Sequence, residues 1–395
     1  MKEEFLGYVR PDGTVGIRNQ VLIIPGSFEA QKVCEAVRGT VMLNNADLGI
    51  GRTPEDRETI ARVRAGLGRN PNIYGAVVLG LGEADQKQLA YMRLADDIEA
   101  SGKPVIRIGE NGAGSGWDGI AAASKAAARL VWQASRERRQ PVPLSKLSIA
   151  VKCGSSDPFS GLAGNPAVGH LFDRVVAAGG IAIFGETTEI IGAEHELVER
   201  CVTPAVAKKL MDAVERQEQL AHSIGQDIRE MNPVPENIKA GISTLEEKSL
   251  GAVHKAGTAP IQDVLDYGEV PTGKGLYFMD SYISHTSVFL GFAASGAPLV
   301  LFQLGGGGYD RQTLTGGSAV VAPEMWCTGN PRTAERLADS IDFSAAPVID
   351  AGEPLEQAGE RLLQAVLDIA SGTMTKSEVI RYIEPLEMYL PGPTF

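Results

Sequence analysis

The stretch Leu147-Ser148-Ile149-Ala150-Val151-Lys152-Cys153-Gly154-Ser155-Ser156-Asp157 decides the fold. Its first residues are mostly apolar and partly β-branched, which is typical of a buried strand, and the glycine and small polar residues after them mark the loop where a strand ends. Similar runs recur along the chain with helical patterns between them. A strand and helix alternation of this kind predicts mostly parallel sheets covered by helices.

The alternation divides into two units. Between them, residues 135–143 are charged, contain prolines and lack apolar periodicity, which indicates a domain boundary. The chain is therefore expected to form two Rossmann-like α/β lobes, one over residues 1–140 and one over 147–395. Predicted strands span 21–24, 40–43, 76–81, 104–108, 147–152, 180–184, 275–279, 298–304 and 318–321. Predicted helices span 30–38, 54–67, 84–100, 119–134, 166–178, 203–230, 245–255, 333–341 and 354–371.

Composition agrees with a globular protein of this size. The 395 residues suffice for two domains or three, with 44% hydrophobic and 22% charged residues. Lysine and arginine number 37 against 49 aspartates and glutamates, a net charge of −12. No basic cluster is present that could follow a phosphate backbone, so we expect no nucleic-acid partner.

The sequence also predicts a cellular compartment. No stretch approaches the ~18 uncharged apolar residues of a membrane span, and the acidic start Met1-Lys2-Glu3-Glu4-Phe5 lacks a signal-peptide core. Four scattered cysteines without a CxxC pair indicate reduced thiols. We therefore expect a cytoplasmic protein that does not associate with membranes.

Open parallel sheets bind ligands at the carboxyl ends of their strands, where loops and helix N-termini converge. In the second lobe these positions are polar or rich in glycine: residues 152–157, 185–189, Asp280 and 305–308. In the first lobe they are residues 27–29, Asp47, 82–83 and 109–110. Both sets are expected to converge on one cleft between the lobes.

Several of these segments resemble the altronate/galactarate dehydratase family, which includes the large subunit of sulfolactate sulfo-lyase. The resemblance covers residues 5 to about 385. It is carried by Lys152-Cys153-Gly154-Ser155-Ser156-Asp157, by Asn165-Pro166-Ala167-Val168-Gly169, and by residues 5–13, 16–19, 186–195 and 244–251.

The resemblance implies β-elimination from a small polar 2-hydroxy acid, a sugar acid or sulfolactate, to give a 2-keto acid. A base removes the proton next to the carboxylate, and water or sulfite leaves from the next carbon. The charge that develops favours a divalent metal or clustered donors. Relatives often carry a small β-rich module, fused or as a separate subunit, so such a partner is expected here. A homo-oligomer is also expected.

The chain departs from the family pattern in the first lobe. Relatives carry cysteines at three strand ends, one in a Leu-Gly-Cys-Glu segment that here reads Leu81-Gly82-Glu83-Ala84. Carboxylates stand at or near those places: Glu29, Asp47 and Glu83. An iron–sulfur cluster is therefore not expected, whereas a divalent ion (magnesium, manganese or iron) on these carboxylates is. The alternative is that they are unconnected surface or capping acids.

Three residues are the candidate base and orienting groups: Lys152 and Glu186 at strand ends and His195 in the family motif. Each also has a structural interpretation, since a strand-end glutamate can cap a helix and a lone histidine is usually structural.

Further residues are candidates for binding the substrate. Asp157 could instead cap a turn, and Cys153 could be a small buried hydrophobe. Lys248 is a plausible anchor for a carboxylate. Glycines in a run expose backbone amides to an anion, although such a run is also typical of a plain loop. The candidates are Cys153, Ser155, Asp157, Thr187, Thr188, Lys248, Gly306 and Gly307.

Two other functions compete with a lyase. The chain could keep the family scaffold without its chemistry and bind a sugar acid or a protein partner. It could also be a dinucleotide-dependent oxidoreductase, because Gly114-Ser115-Gly116-Trp117-Asp118-Gly119 matches GxGxxG. That match begins several residues after its strand and lacks a strand-end acid, so no NAD is expected.

Overall fold

Parallel sheets dominate the fold, as the alternation predicts. The protein is described by a computed structural model that covers residues 3–45, 47–109, 116–306, 319–381 and 387–394. Its strands, in chain order, are β1 (Glu4–Val9), β2 (Val15–Gly16), β3 (Gln20–Ile24), β4 (Thr40–Met42), β5 (Ile73–Leu79), β6 (Val105–Ile108), β7 (Gln140–Pro143), β8 (Ser148–Gly154), β9 (Ile181–Gly185), β10 (Ile261–Leu265), β11 (Gly275–Met279), β12 (Leu299–Leu304), β13 (Glu324–Thr328) and β14 (Phe343–Ser344).

Helices connect and cover these strands. Many begin with a capping residue, for example Thr53, whose hydroxyl accepts the amide of Asp56 ahead of a proline at the first helical position. The α-helices are α1 (Phe28–Ala36), α2 (Pro54–Arg69), α3 (Glu83–Tyr91), α4 (Leu94–Glu99), α5 (Trp117–Ala134), α6 (Asn165–Ala177), α7 (Thr187–Ile190), α8 (Glu194–Val198), α9 (Pro204–Ser223), α10 (Ile228–Met231), α11 (Pro235–Lys239), α12 (Leu245–Val253), α13 (His285–Ala294), α14 (Pro331–Arg336), α15 (Pro347–Asp350), α16 (Leu355–Ala370) and α17 (Lys376–Val379).

The fold contains two parallel sheets, one within each of the two lobes expected from the sequence. The sheet of the first lobe has four strands in the order β4-β3-β5-β6, and that of the second has seven in the order β10-β11-β9-β8-β12-β13-β14. In the larger sheet, β8 lies at the centre between β9 and β12. The α/β fold class with mostly parallel sheets is thereby confirmed.

The lobes share one apolar core at their junction. Helix α13 of the second lobe packs on α2 of the first, and the backbones come close, because a Cβ on Gly66 would lie 3.0 Å from the carbonyl carbon of Ala294. Asn70 donates to the carbonyls of Ala293 (2.8 Å) and Ala297 (2.9 Å). These contacts attach α13 firmly to the first lobe.

Some elements differ from the sequence prediction, each for a local reason. The helix expected over 84–100 is split into α3 and α4 at Arg93, whose φ of 49° is left-handed. The helix over 203–230 ends at Ser223, just before Gly225 with φ 74°. The strand expected over 318–321 is wrong where described: Val320 has φ 61°, which no strand accepts, and the strand of this region is β13.

Other elements were not predicted. Residues 140–143 of the boundary segment form β7, which pairs antiparallel with β1. Helix α13 was not predicted. Eight of its ten residues are buried, so the helix has no polar face and its sequence shows no amphipathic periodicity. Strands β10 and β14 were also missed.

Candidate active site

The carboxyl end of the central strand β8 carries the candidate site. Successive residues of a strand point to opposite faces, so Lys152 and Gly154 share one face with α13, and Cys153 lies on the other. Lys152 is 3% exposed and Cys153 1% exposed. Lysines are rarely this buried, and a buried ammonium requires a charged or hydrogen-bonding partner.

A chain of alternating charges crosses the strand end. Lys152 Nζ lies 2.7 Å from Glu186 Oε1, and Lys255 Nζ lies 2.5 Å from Glu186 Oε2. Lys255 also contacts the Glu189 carboxylate. Glu186 Oε2 accepts the amide of Cys153 at 3.0 Å. All four charged side chains are buried. They pair two cations with two anions inside the protein.

The backbone around Glu186 explains its placement. Glu186 follows β9 in a left-handed conformation with φ 76°, which turns its side chain back across the sheet end. Its amide donates to Ser281 Oγ (2.9 Å), and the Thr187 amide donates to the Ser281 carbonyl (3.0 Å). Three strand ends, those of β8, β9 and β11, are thus joined by one residue in a strained conformation.

Electrostatics keep Glu186 and Lys255 ionised. Burial raises the pKa of Glu186, but the charges of Lys152 and Lys255 outweigh it and lower that pKa to about 2. Burial lowers the pKa of Lys255, yet Glu186 and Glu189 raise it above its usual value. Burial raises the pKa of the Cys153 thiol to about 12, with Glu189 adding to the effect. Glu186 is therefore an anion and Cys153 a neutral thiol at neutral pH.

Polar atoms without partners lie on the Cys153 face. Asn165 Nδ2 approaches Cys153 Sγ at 3.7 Å, and Ser156 Oγ lies 3.6 Å from the same sulfur. Across the sheet, Gln303 is in register with Cys153. Asn165 Oδ1 and both ends of the Gln303 amide are buried without a hydrogen-bond partner among the described residues. Thr188 Oγ1 shares this property. Such groups require an explanation, and a bound polar ligand is one.

A cleft of about 230 Å³ opens beside this face. Ser156, Asp157, Asn165 and Lys248 line it, together with residues of α12. Lys248 donates to Asn232 (2.6 Å) and Asn237 (3.0 Å). Burial lowers its pKa, and the carboxylate of Glu189 partly opposes this. The described lining residues all belong to the second lobe, so they do not place the cleft between the lobes.

Comparison with known proteins places this arrangement in a family. Residues 144–389 match the model of the D-galactarate/altronate dehydratase C-terminal domain, and residues 7–135 match the second domain of D-galactarate dehydratase/altronate hydrolase. The chain belongs to the galactarate/altronate dehydratase family. The resemblance stated from the sequence is confirmed.

Relatives in this family carry different names. A "(2R)-sulfolactate sulfo-lyase subunit beta" of Chromohalobacter salexigens is 34% identical over 96% of both chains. An "altronate dehydratase" of Bacillus subtilis is 30% identical over 95% of this chain and 75% of its own length. A "galactarate dehydratase (L-threo-forming)" of Escherichia coli is 30% identical over 82% of this chain and 61% of its own.

The family motifs supply most of the cluster. Lys152, Cys153 and Glu186 are brought together as expected from the strand ends. Thr187 lies beside them, but its hydroxyl donates to Asp280 (2.6 Å), which is a structural bond. Lys255 was not predicted, because nothing in the segment around it marks it as buried among carboxylates.

Other predicted binding residues have structural contacts. Asp157 accepts the Ser160 amide (2.8 Å) and the Asn330 side-chain amide (2.5 Å), which matches its capping interpretation. Ser155 follows the last residue of β8 in a left-handed conformation with φ 51°. A Cβ on Gly306 would lie 2.6 Å from Asn330 Nδ2, so this glycine packs on the loop before α14. Gly307 lies outside the described residues.

His195 does not join the cluster. It lies on the short helix α8, its side chain is 66% exposed, and it pairs with Glu196 at 3.4 Å. The histidine near the cluster is His285, at the first position of α13. Its ring packs against Phe302, with centroids 5.2 Å apart. His285 is not among the residues predicted from the sequence, and neither is the helix α13 that carries it.

The proposed metal ligands are not brought together. Asp47 pairs with Arg52 (2.8 Å), Glu83 pairs with Lys87 (2.8 Å), and Glu29 lies in the first turn of α1. Over the described ranges, no group of three or more histidine, cysteine, aspartate or glutamate side chains is placed to hold an ion. These residues therefore do not fit a metal, and the alternative of separate surface and capping acids describes them better.

Within the part of the chain that the structure covers, no helix is both long and apolar enough to cross a membrane.

Proposed function

We propose that the protein is a lyase that catalyses β-elimination from a small polar 2-hydroxy acid and forms a 2-keto acid. The observation that carries the proposal is the buried ammonium of Lys152 at the carboxyl end of β8. An ammonium has three donors, and here two are directed to Glu186 and to the Cys153 carbonyl. The third is available for a substrate carboxylate.

The chemistry requires such a cation. Removing the proton from C2 leaves negative charge spread over C2 and the carboxylate, and a positioned cation stabilises that charge more than it stabilises the substrate. As the C2=C3 double bond forms, the bond from C3 to the leaving group breaks and its electrons depart with that group. The enol product then tautomerises to the keto acid.

Charge in the site also favours an anionic substrate. Lys248 lines the adjacent cleft, so three lysines stand against two glutamates around the site, Glu186 and Glu189. Glu186 has the role of orienting Lys152, because both of its carboxylate oxygens are held in ion pairs with buried lysines. No role is assigned to His195.

Neutral groups would select the remainder of the substrate. Asn165, Thr188 and Gln303 offer donors and acceptors that fit hydroxyl groups on carbons beyond C2. This set suits a sugar acid, and it equally suits the sulfonate oxygens of sulfolactate. The names of the relatives include both substrate types. No step is assigned to a metal, because the described carboxylates do not form a ligand set.

A partner subunit is part of the proposal. The relative that matches this chain along 96% of its length is named as one subunit of a lyase, and we infer that this chain also works with a smaller partner. A cytoplasmic location and a homo-oligomer remain predictions from the sequence. The oxidoreductase hypothesis gains no support: its glycine motif lies partly outside the described residues, and the family names are those of dehydratases.

The test is an assay for 2-keto acid with (2R)-sulfolactate, altronate and galactarate. The protein would be purified without oxygen, with and without added Mg²⁺, Mn²⁺ or Fe²⁺, and with any copurifying subunit retained. Formation of keto acid from one of the three, with equimolar sulfite where sulfolactate is used, is the expected result. Binding of these acids without any turnover would instead favour the scaffold without chemistry.

A further inference from the structure

We propose that His285 is the base that takes the C2 proton, an inference that rests on the proposed function. The sequence pattern gave this role to His195, Lys152 or Glu186. The structure supplies a different candidate on the same face of the sheet as Lys152.

The position of His285 follows from β8 and β12. Lys152 and Gly154 point to one face, with about 6–7 Å between such alternate side chains. The imidazole lies over Gly154, where a Cβ would come within 3.0 Å of its Cε1 and 2.7 Å of Phe302 Cζ. The missing side chain of Gly154 thus provides the space that the ring occupies, and the backbone position of Lys152 is one strand repeat away on the same face.

That spacing matches a small hydroxy acid. A carboxylate held by Lys152 has C2 two bonds from the contacted oxygen, and the proposal directs C2 towards the next position on the same face, where His285 lies. Neither ring nitrogen of His285 has a hydrogen-bond partner among the described residues, and Nδ1 is buried. A neutral imidazole with an unused acceptor nitrogen is suited to take a proton.

The surroundings keep this imidazole neutral. The charge of Lys152 and burial both lower the pKa of His285, to about 3, against a smaller opposing effect of Glu189. A bound carboxylate would offset the charge of Lys152 and raise the basicity of the ring at the moment when it is needed. Glu186, by contrast, already has both carboxylate oxygens in ion pairs.

The proton transfer balances without a co-reactant. The lone pair of an imidazole nitrogen forms the new N–H bond as the C2–H bond breaks, and the electron pair of that bond becomes the C2=C3 bond when the leaving group departs from C3. The proton on the imidazolium then passes to the leaving hydroxide, which gives water, or to sulfite, which gives hydrogen sulfite.

The experiment compares His285→Gln and His285→Asn with wild type on whichever of (2R)-sulfolactate, altronate or galactarate the wild type converts. Keto-acid formation is measured together with exchange of the C2 proton in D₂O. Both rates should fall by about 10²–10⁴-fold, the usual contribution of a general base. Binding of the 2-keto acid product should weaken much less. His222→Gln, an exposed histidine on α9, is the matched control and should keep wild-type rates.

The outcomes separate this inference from the proposed function. Turnover by wild type with nearly unchanged rates in both His285 variants would overturn the inference and leave the lyase intact. Loss of keto-acid binding in parallel with rate would also overturn it, because His285 would then be structural. Wild type that converts none of the three acids would remove both.

Discussion

Two lysine–glutamate pairs at strand ends, one in each lobe, look alike until burial is considered. In the second lobe, Lys152 and Glu186 are 2.7 Å apart, with side chains 4% and 1% exposed. In the first, Lys87 and Glu83 are 2.8 Å apart, with side chains 72% and 84% exposed. The Lys152–Glu186 pair has lost its hydration and must be held by the fold, whereas water solvates the Lys87–Glu83 pair.

The difference shows what a strand end needs in order to become a site. Topology brings loops together at the carboxyl edge of both parallel sheets. At this edge the second lobe adds a left-handed glutamate and a second lysine buried between two carboxylates. The first lobe uses its strand-end carboxylates within their own helices and turns.

The largest expected effect is on stability. Glu186→Gln leaves Lys152 and Lys255 buried with one carboxylate fewer, and breaking a buried pair in this way costs about 3–5 kcal/mol. Glu83→Gln is the matched control, since exposed pairs contribute about 0–1 kcal/mol. Urea unfolding at pH 7 measures both. Equal stability of the two variants would mean that water reaches the buried cluster.

The pH dependence of unfolding tests the same pair. The pKa of Glu186 is about 2 in the folded protein and 4.5 as an ordinary value, so unfolded chains bind the proton first as pH falls. The stabilisation is complete above pH 4.5 and is lost as pH falls towards 2. The stability gap between wild type and Glu186→Gln should therefore narrow over this range. A constant gap between pH 7 and pH 3 would contradict the low pKa.

The next effect is on turnover. Lys152→Met removes the donor that faces the developing charge, and loss of one such donor lowers kcat by about 10²–10³-fold. Lys87→Met should stay within about twofold of wild type, because its pair is solvated. Keto-acid formation gives both values. A Lys152→Met enzyme with normal kcat and raised KM would show that Lys152 stabilises the bound substrate and the transition state equally, and so does not accelerate the chemical step.

A smaller effect is expected from adding one methyl group. Gly154→Ala forces Phe302 or His285 to move, and overpacking of this kind costs about 1–3 kcal/mol. Gly82→Ala at the N-cap of α3 meets nothing within 4 Å, so it adds no overpacking, and the loss of a preferred cap should cost about 1 kcal/mol or less. Thermal unfolding compares the two. If Gly154→Ala proves as stable as its control, the ring lies further from β8 than described.

The smallest effect tests the first lobe directly. A variant with Glu29→Gln, Asp47→Asn and Glu83→Gln should retain keto-acid formation within about threefold and leave bound metal unchanged, since surface acids contribute little individually. Metal analysis accompanies the assay. A stoichiometric ion in wild type that disappears in this variant would restore the metal site predicted from the sequence.

Much of the fold follows from the sequence because parallel strands are short and apolar and end in glycine. Strands β8, β9 and β12 were placed within two residues at either end. Helix α13 was not, since periodicity is absent where a helix is buried on every side. Of the charged cluster, the sequence predicts Lys152 and Glu186, because both follow or end a predicted strand. Lys255 and His285 needed the packing of distant segments.

The contact between α2 and α13 has a consequence for cooperativity. Each of the two family segments has its own parallel sheet. Helix α13 of the second lobe nevertheless packs on the first lobe. The side-chain amides of Asn70 and Asn72 in the first lobe donate to backbone carbonyls of the second lobe. Either lobe expressed alone would expose unsatisfied amides and half of an apolar core. The halves should therefore melt in one transition, and exchanging a lobe between relatives would require transplanting both helices together.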